Sequence, residues 1–159
     1  MNGLMAKLEI GNKAPSFKLP NQDGDIVSLG EFKGKWVVLY FYPKDMTSGT
    51  TVEDCDFSVG LLGFRNTKAV VLGVSKDSVE SHRKFADKYS LKFNLLADEN
   101  LKTCKSYGVY QQKSLYGRKF MGIVRSTFVI DPKGVISQIY PKVKVKDHAS
   151  KVLEYLESL

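Results

Sequence analysis

An uninterrupted apolar run occupies residues 36–42 and stops at Pro43. A run of strand length without polar alternation is typical of a central strand that is covered on both faces. A second apolar run at residues 70–74 predicts another buried strand, and residues 93–96 predict a short third strand. Apolar residues at helical spacing predict one helix after the first strand and another that begins at Ser78.

Two pairs of short runs flank turn sequences, and each pair predicts a hairpin. The runs of the first pair surround an Asn-Gln-Asp-Gly turn at residues 21–24. The second pair is joined by Asp-Pro-Lys-Gly at residues 131–134, a segment made of residues that favour turns. The strands predicted in this way cover residues 17–19, 26–29, 126–130 and 135–140.

The order of the elements predicts an α/β fold. A short helix over residues 100–107 precedes the late hairpin, and a last helix capped by Asp147 follows it. A strand, a helix and a second buried strand imply a right-handed crossover and a parallel pair. The late hairpin adds antiparallel strands at an edge, so we expect a three-layer sandwich around a central mixed β-sheet. The apolar face of the last helix is Ala149, Val152, Leu153, Leu156 and Leu159.

Length and composition favour one soluble domain. The chain has 159 residues, 43% of them hydrophobic and 26% charged, which is enough to bury about two thirds of its unfolded surface. We expect a single domain over residues 1–159, with residues 1–8 as a flexible extension in which Met5 is an alternative start. Neither a signal-peptide pattern nor an apolar stretch of about 20 residues is present, so we expect a cytoplasmic protein without a membrane partner.

The formal net charge is +7, and the lysines and arginines are spread along the whole chain. The densest patch alternates lysine with valine over residues 142–146, which fits one solvated face of a strand. Aromatic residues that could stack on bases are missing beside it. We therefore expect no nucleic-acid partner, and a nucleic-acid-binding domain remains an alternative that rests on charge alone.

The chain has two cysteines, Cys55 and Cys104, and two histidines, His82 and His148. These four scattered residues match neither a CxxC motif nor a zinc-binding pattern, so we expect no metal. In a cytoplasmic protein, such cysteines are more often free or redox-active than joined in a structural disulfide. We expect Cys104 to be a half-buried thiol on a helix and His82 to lie on a helix surface.

The most informative stretch runs from the end of the first buried strand into the helix that follows. Ligands of open α/β sheets bind beyond the carboxyl ends of the strands, and free amides at a helix start favour an anion. A purely structural interpretation also fits, in which Pro43 ends the strand and Thr47, Ser48 and Thr50 cap the helix. Thr50 and Glu53 match a Thr-x-x-Glu capping box. The pattern alone leaves both interpretations open.

Residues 41–55 of this stretch are Phe-Tyr-Pro-Lys-Asp-Met-Thr-Ser-Gly-Thr-Thr-Val-Glu-Asp-Cys. They resemble the peroxiredoxin signature in its bacterioferritin comigratory (peroxiredoxin Q) form, Phe-Tyr-Pro-Lys-Asp-x-Thr-Pro-Gly-Cys-Thr-x-Glu-x-Cys. The resemblance extends from about residue 10 to the end of the chain and implies a thioredoxin-like fold. Its downstream segments are residues 73–78, 96–99, 107–109, 116–117, 122–123 and 125–131. The residues that match the signature are Phe41, Tyr42, Pro43, Lys44, Asp45, Thr47, Gly49, Thr51, Glu53 and Cys55.

The resemblance implies a thiol-dependent peroxidase that reduces hydrogen peroxide and organic hydroperoxides, with thioredoxin or a similar thiol as reductant. It implies no bound cofactor and a monomer or weak dimer. In the family, a cysteine thiolate at the helix start attacks the O–O bond and becomes a sulfenic acid. Carried over to this chain, Pro43 shields the site and Thr47 hydrogen-bonds the thiolate and the peroxide. Arg125 supplies the positive charge, and Cys55 is the candidate resolving cysteine.

Two positions depart from the signature. Ser48 replaces a common proline, and Thr50 stands where the family has its peroxidatic cysteine. A hydroxyl is scarcely ionised near neutral pH and is not oxidised reversibly as sulfur is, so we expect no peroxidase cycle through position 50. Three explanations remain open: a substitution made to trap the site, a natural lineage that lost the activity, or transfer of the reactive role to Cys55. The alternative function is that of a non-catalytic binding or regulatory homologue.

Overall fold

The computed structural model describes residues 8–159. The extension and alternative start predicted within residues 1–8 lie outside this range, except for Leu8, which packs against the core. A 3₁₀ turn at Leu29–Phe32 accompanies the following strands and helices. These are β1 (Lys18–Pro20), β2 (Ile26–Ser28), β3 (Trp36–Phe41), α1 (Ser48–Val59), α2 (Leu61–Asn66), β4 (Ala69–Ser75), α3 (Val79–Tyr89), β5 (Asn94–Ala97), α4 (Lys102–Ser106), β6 (Tyr110–Leu115), β7 (Arg118–Ile123), β8 (Ser126–Ile130), β9 (Ile136–Tyr140) and α5 (His148–Glu157).

Five strands form the central sheet, in the order β5-β4-β3-β8-β9. β4 is parallel to both β3 and β5, whereas β8 is antiparallel to both β3 and β9. In the middle of the sheet, Val38 lies opposite Val71 on one side and Val129 on the other. These pairings confirm the predicted mixed sheet. The late hairpin is not wholly at an edge, because β8 is buried along its whole length and only β9 forms the edge.

Alternate residues of β3 face two separate cores, because successive side chains of a strand point to opposite faces of the sheet. Leu39 and Phe41 belong to a cluster that includes residues of the β1–β2 hairpin and of α4. Val38 and Tyr40 belong to a second cluster, with residues of α1, α2, α3 and α5. The sheet is therefore covered on both faces, which confirms the predicted three-layer sandwich.

The helices are short, and the longest, α1, has 12 residues. α3 begins as predicted, because Ser78 Oγ accepts a hydrogen bond from the amide of Ser81 at 3.1 Å. Within residues 8–159, we find no helix that combines the length and the apolar character needed to cross a membrane.

The β6–β7 hairpin is an element that the hydrophobic pattern did not predict. Most of its side chains are exposed, so it has no alternating apolar face. Its turn residues, Tyr116 and Gly117, have φ angles of 51° and 78°, as tight two-residue hairpin turns require. β7 ends at Ile123, two residues before Arg125.

Three predictions for the C-terminal region were wrong. Residues 142–146 form a loop rather than a strand, and the amide of Val143 donates to the Arg125 carbonyl at 2.8 Å. α5 does begin after Asp147, but this residue has a φ of 60° and its side chain makes no capping bond within the described chain. Leu159 is exposed and does not extend the buried face of α5.

Candidate functional site

The stretch that resembles the signature forms a corner between β3, which ends at Phe41, and α1, which begins at Ser48. We call it the Thr50 corner. Thr47 occupies the N-cap position with an extended backbone, yet within residues 8–159 its side chain caps no helix amide. Its Oγ1 instead donates to the Lys44 carbonyl at 3.2 Å. Thr50 is the third residue of the helix and not its cap, so the predicted capping box is wrong.

The register of the sheet brings Arg125 to the same corner. Ser126 opens β8 and lies opposite Phe41, because β3 and β8 are antiparallel. Arg125 immediately precedes Ser126, and its side chain reaches the first turn of α1. The Nη2 atom of Arg125 donates to Thr50 Oγ1 at 3.2 Å, and Thr50 is fully buried. Two of the residues predicted to form the site are therefore in direct contact.

Glu53 forms an ion pair with Arg125 rather than a helix cap. Its Oε1 atom lies 2.5 Å from Nη1 of Arg125, and the residue is 1% exposed. Burial raises the pKa of Glu53 to about 7, because the loss of water outweighs the opposing effect of Arg125. A single guanidinium thus bridges Thr50 and a carboxyl group that changes its charge near neutral pH.

We expect Glu53 to make the stability of the fold depend on pH. The unfolded chain releases this proton near pH 4.5, whereas the folded chain retains it to about pH 7. Since the folded state binds more protons in this window, its free energy of unfolding falls as the pH rises through it. A shift of this size corresponds to about 3 kcal/mol, which Glu53→Gln should remove.

Urea unfolding of both chains at about pH 4 and about pH 8 measures this effect. Groups that do not interact with Glu53 cancel in the comparison. The Glu53→Gln chain should gain about 3 kcal/mol relative to the unsubstituted chain between the two pH values. A difference that stays constant with pH would contradict the assignment.

A second buried carboxyl group, that of Asp54, follows Glu53 in α1. Within residues 8–159, neither Asp54 oxygen has a hydrogen-bond partner, nor do the Tyr40 hydroxyl and Glu53 Oε2. Burial raises the pKa of Asp54 well above its ordinary value, which favours the neutral acid. The helix that carries Thr50 therefore buries two successive carboxyl groups.

Pro43 and Thr47 lie in the loop that leads into α1. Pro43 is half-buried, and Thr47 is exposed. In the described part of the chain, neither side chain hydrogen-bonds to Thr50 or to Arg125, and Thr47 Oγ1 bonds only the Lys44 carbonyl. The structure thus brings Arg125 and Thr50 together and leaves Thr47 at the rim of the corner.

Both cysteines are free thiols, and the helices that carry them, α1 and α4, pack on opposite faces of the sheet. Cys55 is half-buried in α1, five residues beyond Thr50, so it points to a different side of the helix. Cys104 is fully buried in α4 rather than half-buried as predicted. Burial raises the pKa of both thiols, which favours the less reactive protonated form.

His82 is fully buried, and the prediction of a surface position was wrong. Its Nδ1 atom lies 2.7 Å from Oδ2 of Asp45, in the loop between β3 and α1. Among the described residues, Asp45, Asp77 and His82 are close enough to hold a metal ion, but these groups already bond one another and the backbone. A signal was present, because His82 is three residues from both Val79 and Phe85 on the apolar face of α3.

Comparisons with known proteins point to one family. The sequence model of the AhpC/TSA family matches residues 10–139. Peroxiredoxin Bcp of Bacillus subtilis (strain 168) is 46% identical over 152 residues, which cover 96% of this chain and 97% of the relative.

Two solved structures are similar over most of their length. PrxQ of Xylella fastidiosa, in a cysteine-to-serine mutant, has a TM-score of 0.91 with 36% identity, covering 96% of this chain and 98% of that one. The bacterioferritin comigratory protein of Xanthomonas campestris, studied for its alkyl peroxide reduction activity, has a TM-score of 0.86 with 41% identity. That match covers 89% of this chain and 90% of the other.

Proposed function

The chain belongs to the AhpC/TSA family, in its bacterioferritin comigratory (peroxiredoxin Q) branch, and we propose that its Thr50 corner is a hydroperoxide site without its nucleophile. In this proposal Thr50 occupies the peroxidatic position, Arg125 supplies the positive charge, and Pro43 and Thr47 form the rim. The corner keeps the parts that bind and polarise a peroxide.

The observation that carries the proposal is the contact between Arg125 and Thr50. A guanidinium 3.2 Å from a buried side-chain oxygen, in the first turn of a helix, concentrates positive potential at one atom. A sulfur atom in that place would be stabilised as the thiolate. The same potential stabilises the negative charge that develops as an O–O bond breaks.

The substrate class follows from the family and from the surface near the corner. The Xanthomonas campestris relative was studied for alkyl peroxide reduction. Met46, in the loop that leads into α1, is 45% exposed and offers apolar surface to an organic substituent. We therefore assign hydrogen peroxide and organic hydroperoxides to this site, with thioredoxin or a similar cytoplasmic thiol as the reductant of the family cycle.

Thr50 stops this cycle at its first step. The family reaction transfers one peroxide oxygen to sulfur, which is oxidised to a sulfenic acid and later reduced by thiols. The Thr50 hydroxyl is neither ionised near neutral pH nor reversibly oxidised. The chain as it stands is therefore a peroxiredoxin that does not turn over hydroperoxide through position 50.

Peroxide consumption by the unsubstituted chain tests this proposal. With thioredoxin as reductant, we expect loss of hydrogen peroxide and of cumene hydroperoxide at the rate of the protein-free reaction. Cys55→Ala is the matched variant, because it removes the half-buried thiol of α1 and leaves the corner intact. Turnover by the unsubstituted chain that disappears in Cys55→Ala would contradict the proposal and assign the reactive thiol to Cys55.

A further inference from the structure

His82 contacts two segments of the chain that are distant from it in sequence. It is on α3, and its ring is fully buried. Its Nε2 atom lies 3.0 Å from the Leu96 carbonyl in β5, and its Nδ1 atom lies 2.7 Å from Asp45 Oδ2. The Tyr42 hydroxyl lies 3.4 Å from Nδ1 as well, so both ring nitrogens face oxygen atoms at hydrogen-bond distance.

The contacts of this ring with Leu96 and Asp45 require one proton more than a neutral imidazole and a carboxylate carry together. A carbonyl oxygen only accepts, so Nε2 of His82 must donate to Leu96. A neutral imidazole has one N–H group, which leaves Nδ1 as an acceptor facing the carboxyl group of Asp45. The 2.7 Å contact is then a hydrogen bond only if either the ring or the Asp45 carboxyl group carries a second proton.

The surroundings of Asp45 favour its anion. The Tyr42 hydroxyl donates to Asp45 Oδ1 at 2.7 Å, and the Ser81 hydroxyl donates to Oδ2 at 2.8 Å. With His82, three donors converge on one buried carboxylate, and hydrogen bonds to an ionised acceptor are stronger than those to a neutral one. The second proton therefore resides on the ring, which makes His82 an imidazolium.

Asp45 is also held through its backbone. Its amide donates to Asp77 Oδ2 at 2.8 Å, and the same oxygen accepts from the Ser75 hydroxyl at 2.6 Å. The next residue, Met46, has a φ of 66°, a left-handed conformation that is unfavourable for a residue with a side chain. The bonds to Asp45 thus fix a strained turn directly before Thr47.

We propose that His82 is a charged positioning residue, whose buried ion pair with Asp45 fastens the loop of Pro43 and Thr47 to α3. His82 does not reach Thr50 itself; it acts through Asp45 on the loop that forms the rim of the corner. The charge of His82 stands on the hydrogen bonds alone. Its importance for peroxide chemistry rests on the proposed function.

Nitrogen-15 NMR of the histidine rings in the unsubstituted chain tests the charge. Near neutral pH, both ring nitrogens of His82 should show the signals of protonated nitrogen. His148 is the internal control, because burial lowers its pKa to about 4 and its ring should be neutral in the same spectrum. A neutral His82 ring would overturn the ion pair.

The positioning role is tested in a Thr50→Cys background by comparing two reactions of the introduced thiol. His82→Asn and Asp45→Asn should each slow the reaction with peroxide by about tenfold or more, because that reaction needs an ordered rim. Alkylation by iodoacetamide needs only the thiolate and should change little. Lys84→Gln is the matched control, because Lys84 lies on the same helix and is exposed.

Equal slowing of both reactions, or no slowing of either, would overturn the positioning role. If the proposed function is wrong, the Thr50→Cys chain will not react with peroxide even before any further substitution. This result differs from both outcomes above. The NMR signals of His82 decide the ion pair in either case.

Discussion

A Thr50→Cys chain is expected to consume hydroperoxide at least about a thousandfold faster than the unsubstituted chain, with thioredoxin as reductant. The new sulfur would lie where Thr50 Oγ1 now meets Arg125. A thiolate there attacks one peroxide oxygen, the O–O bond breaks, and the second oxygen leaves as hydroxide or alkoxide and takes up a proton. The sulfur becomes a sulfenic acid, and the thiol reductant restores it.

Coupled thioredoxin oxidation gives the rate, and mass spectrometry after a single peroxide addition locates the added oxygen at position 50. Thr50→Ser is the matched control, because serine keeps the hydroxyl and removes only a methyl group. It should remain as slow as the unsubstituted chain. A Thr50→Cys chain no faster than Thr50→Ser would show that the corner does not bind or polarise a peroxide.

Arg125→Met in the Thr50→Cys background is expected to slow the peroxide reaction by about a hundredfold to a thousandfold. The substitution removes the donor beside position 50 and should raise the pKa of the introduced thiol. It also leaves Glu53 without its ion-pair partner, but burial already raises the pKa of Glu53 to about 7. Protonation of Glu53 can therefore compensate, and we expect the fold to survive.

Arg125→Lys separates charge from geometry. Lysine keeps the positive charge but lacks the planar fork with which Arg125 reaches Thr50 and Glu53 together. We expect an intermediate rate, and the ultraviolet absorbance of the thiolate against pH gives the thiol pKa in each chain. An Arg125→Met chain as fast as its parent would exclude Arg125 from the site.

The buried elements of the fold could be predicted because their hydrophobic pattern is unambiguous. β3 and β8 are almost wholly buried, and each contains a run of consecutive apolar residues, at positions 36–41 and 128–130. The β6–β7 hairpin escaped prediction because its side chains are exposed on both faces. Residues 142–146 were wrongly predicted as a strand because an alternating pattern shows only which side chains face solvent. A loop can alternate in the same way as a strand.

The site was only partly predictable, for a different physical reason. The contact between Arg125 and Thr50 follows from a recognised signature combined with antiparallel pairing of β3 and β8. Glu53 was predicted as a helix cap because its spacing from Thr50 matches a capping box, whereas it pairs with Arg125. His82 was predicted at the surface because a polar residue type predicts exposure, whereas it is buried beside Asp45. The spacing of His82 from Val79 and Phe85 would have predicted its burial if it had been given more weight than the polarity of histidine.

The five-residue interval between Thr50 and Cys55 in α1 limits how a thiol at position 50 could be resolved. Five helical residues advance about 7.5 Å along the axis, and disulfides join Cα atoms about 4.4–6.8 Å apart. A bond to Cys55 would require the helix to unwind between these positions. Because Glu53 and Asp54 lie in that interval with carboxyl oxygens that lack partners in the described chain, unwinding would hydrate them. The helical turn that contains Glu53 and Asp54 would therefore unwind at a lower free-energy cost than the burial of its residues suggests.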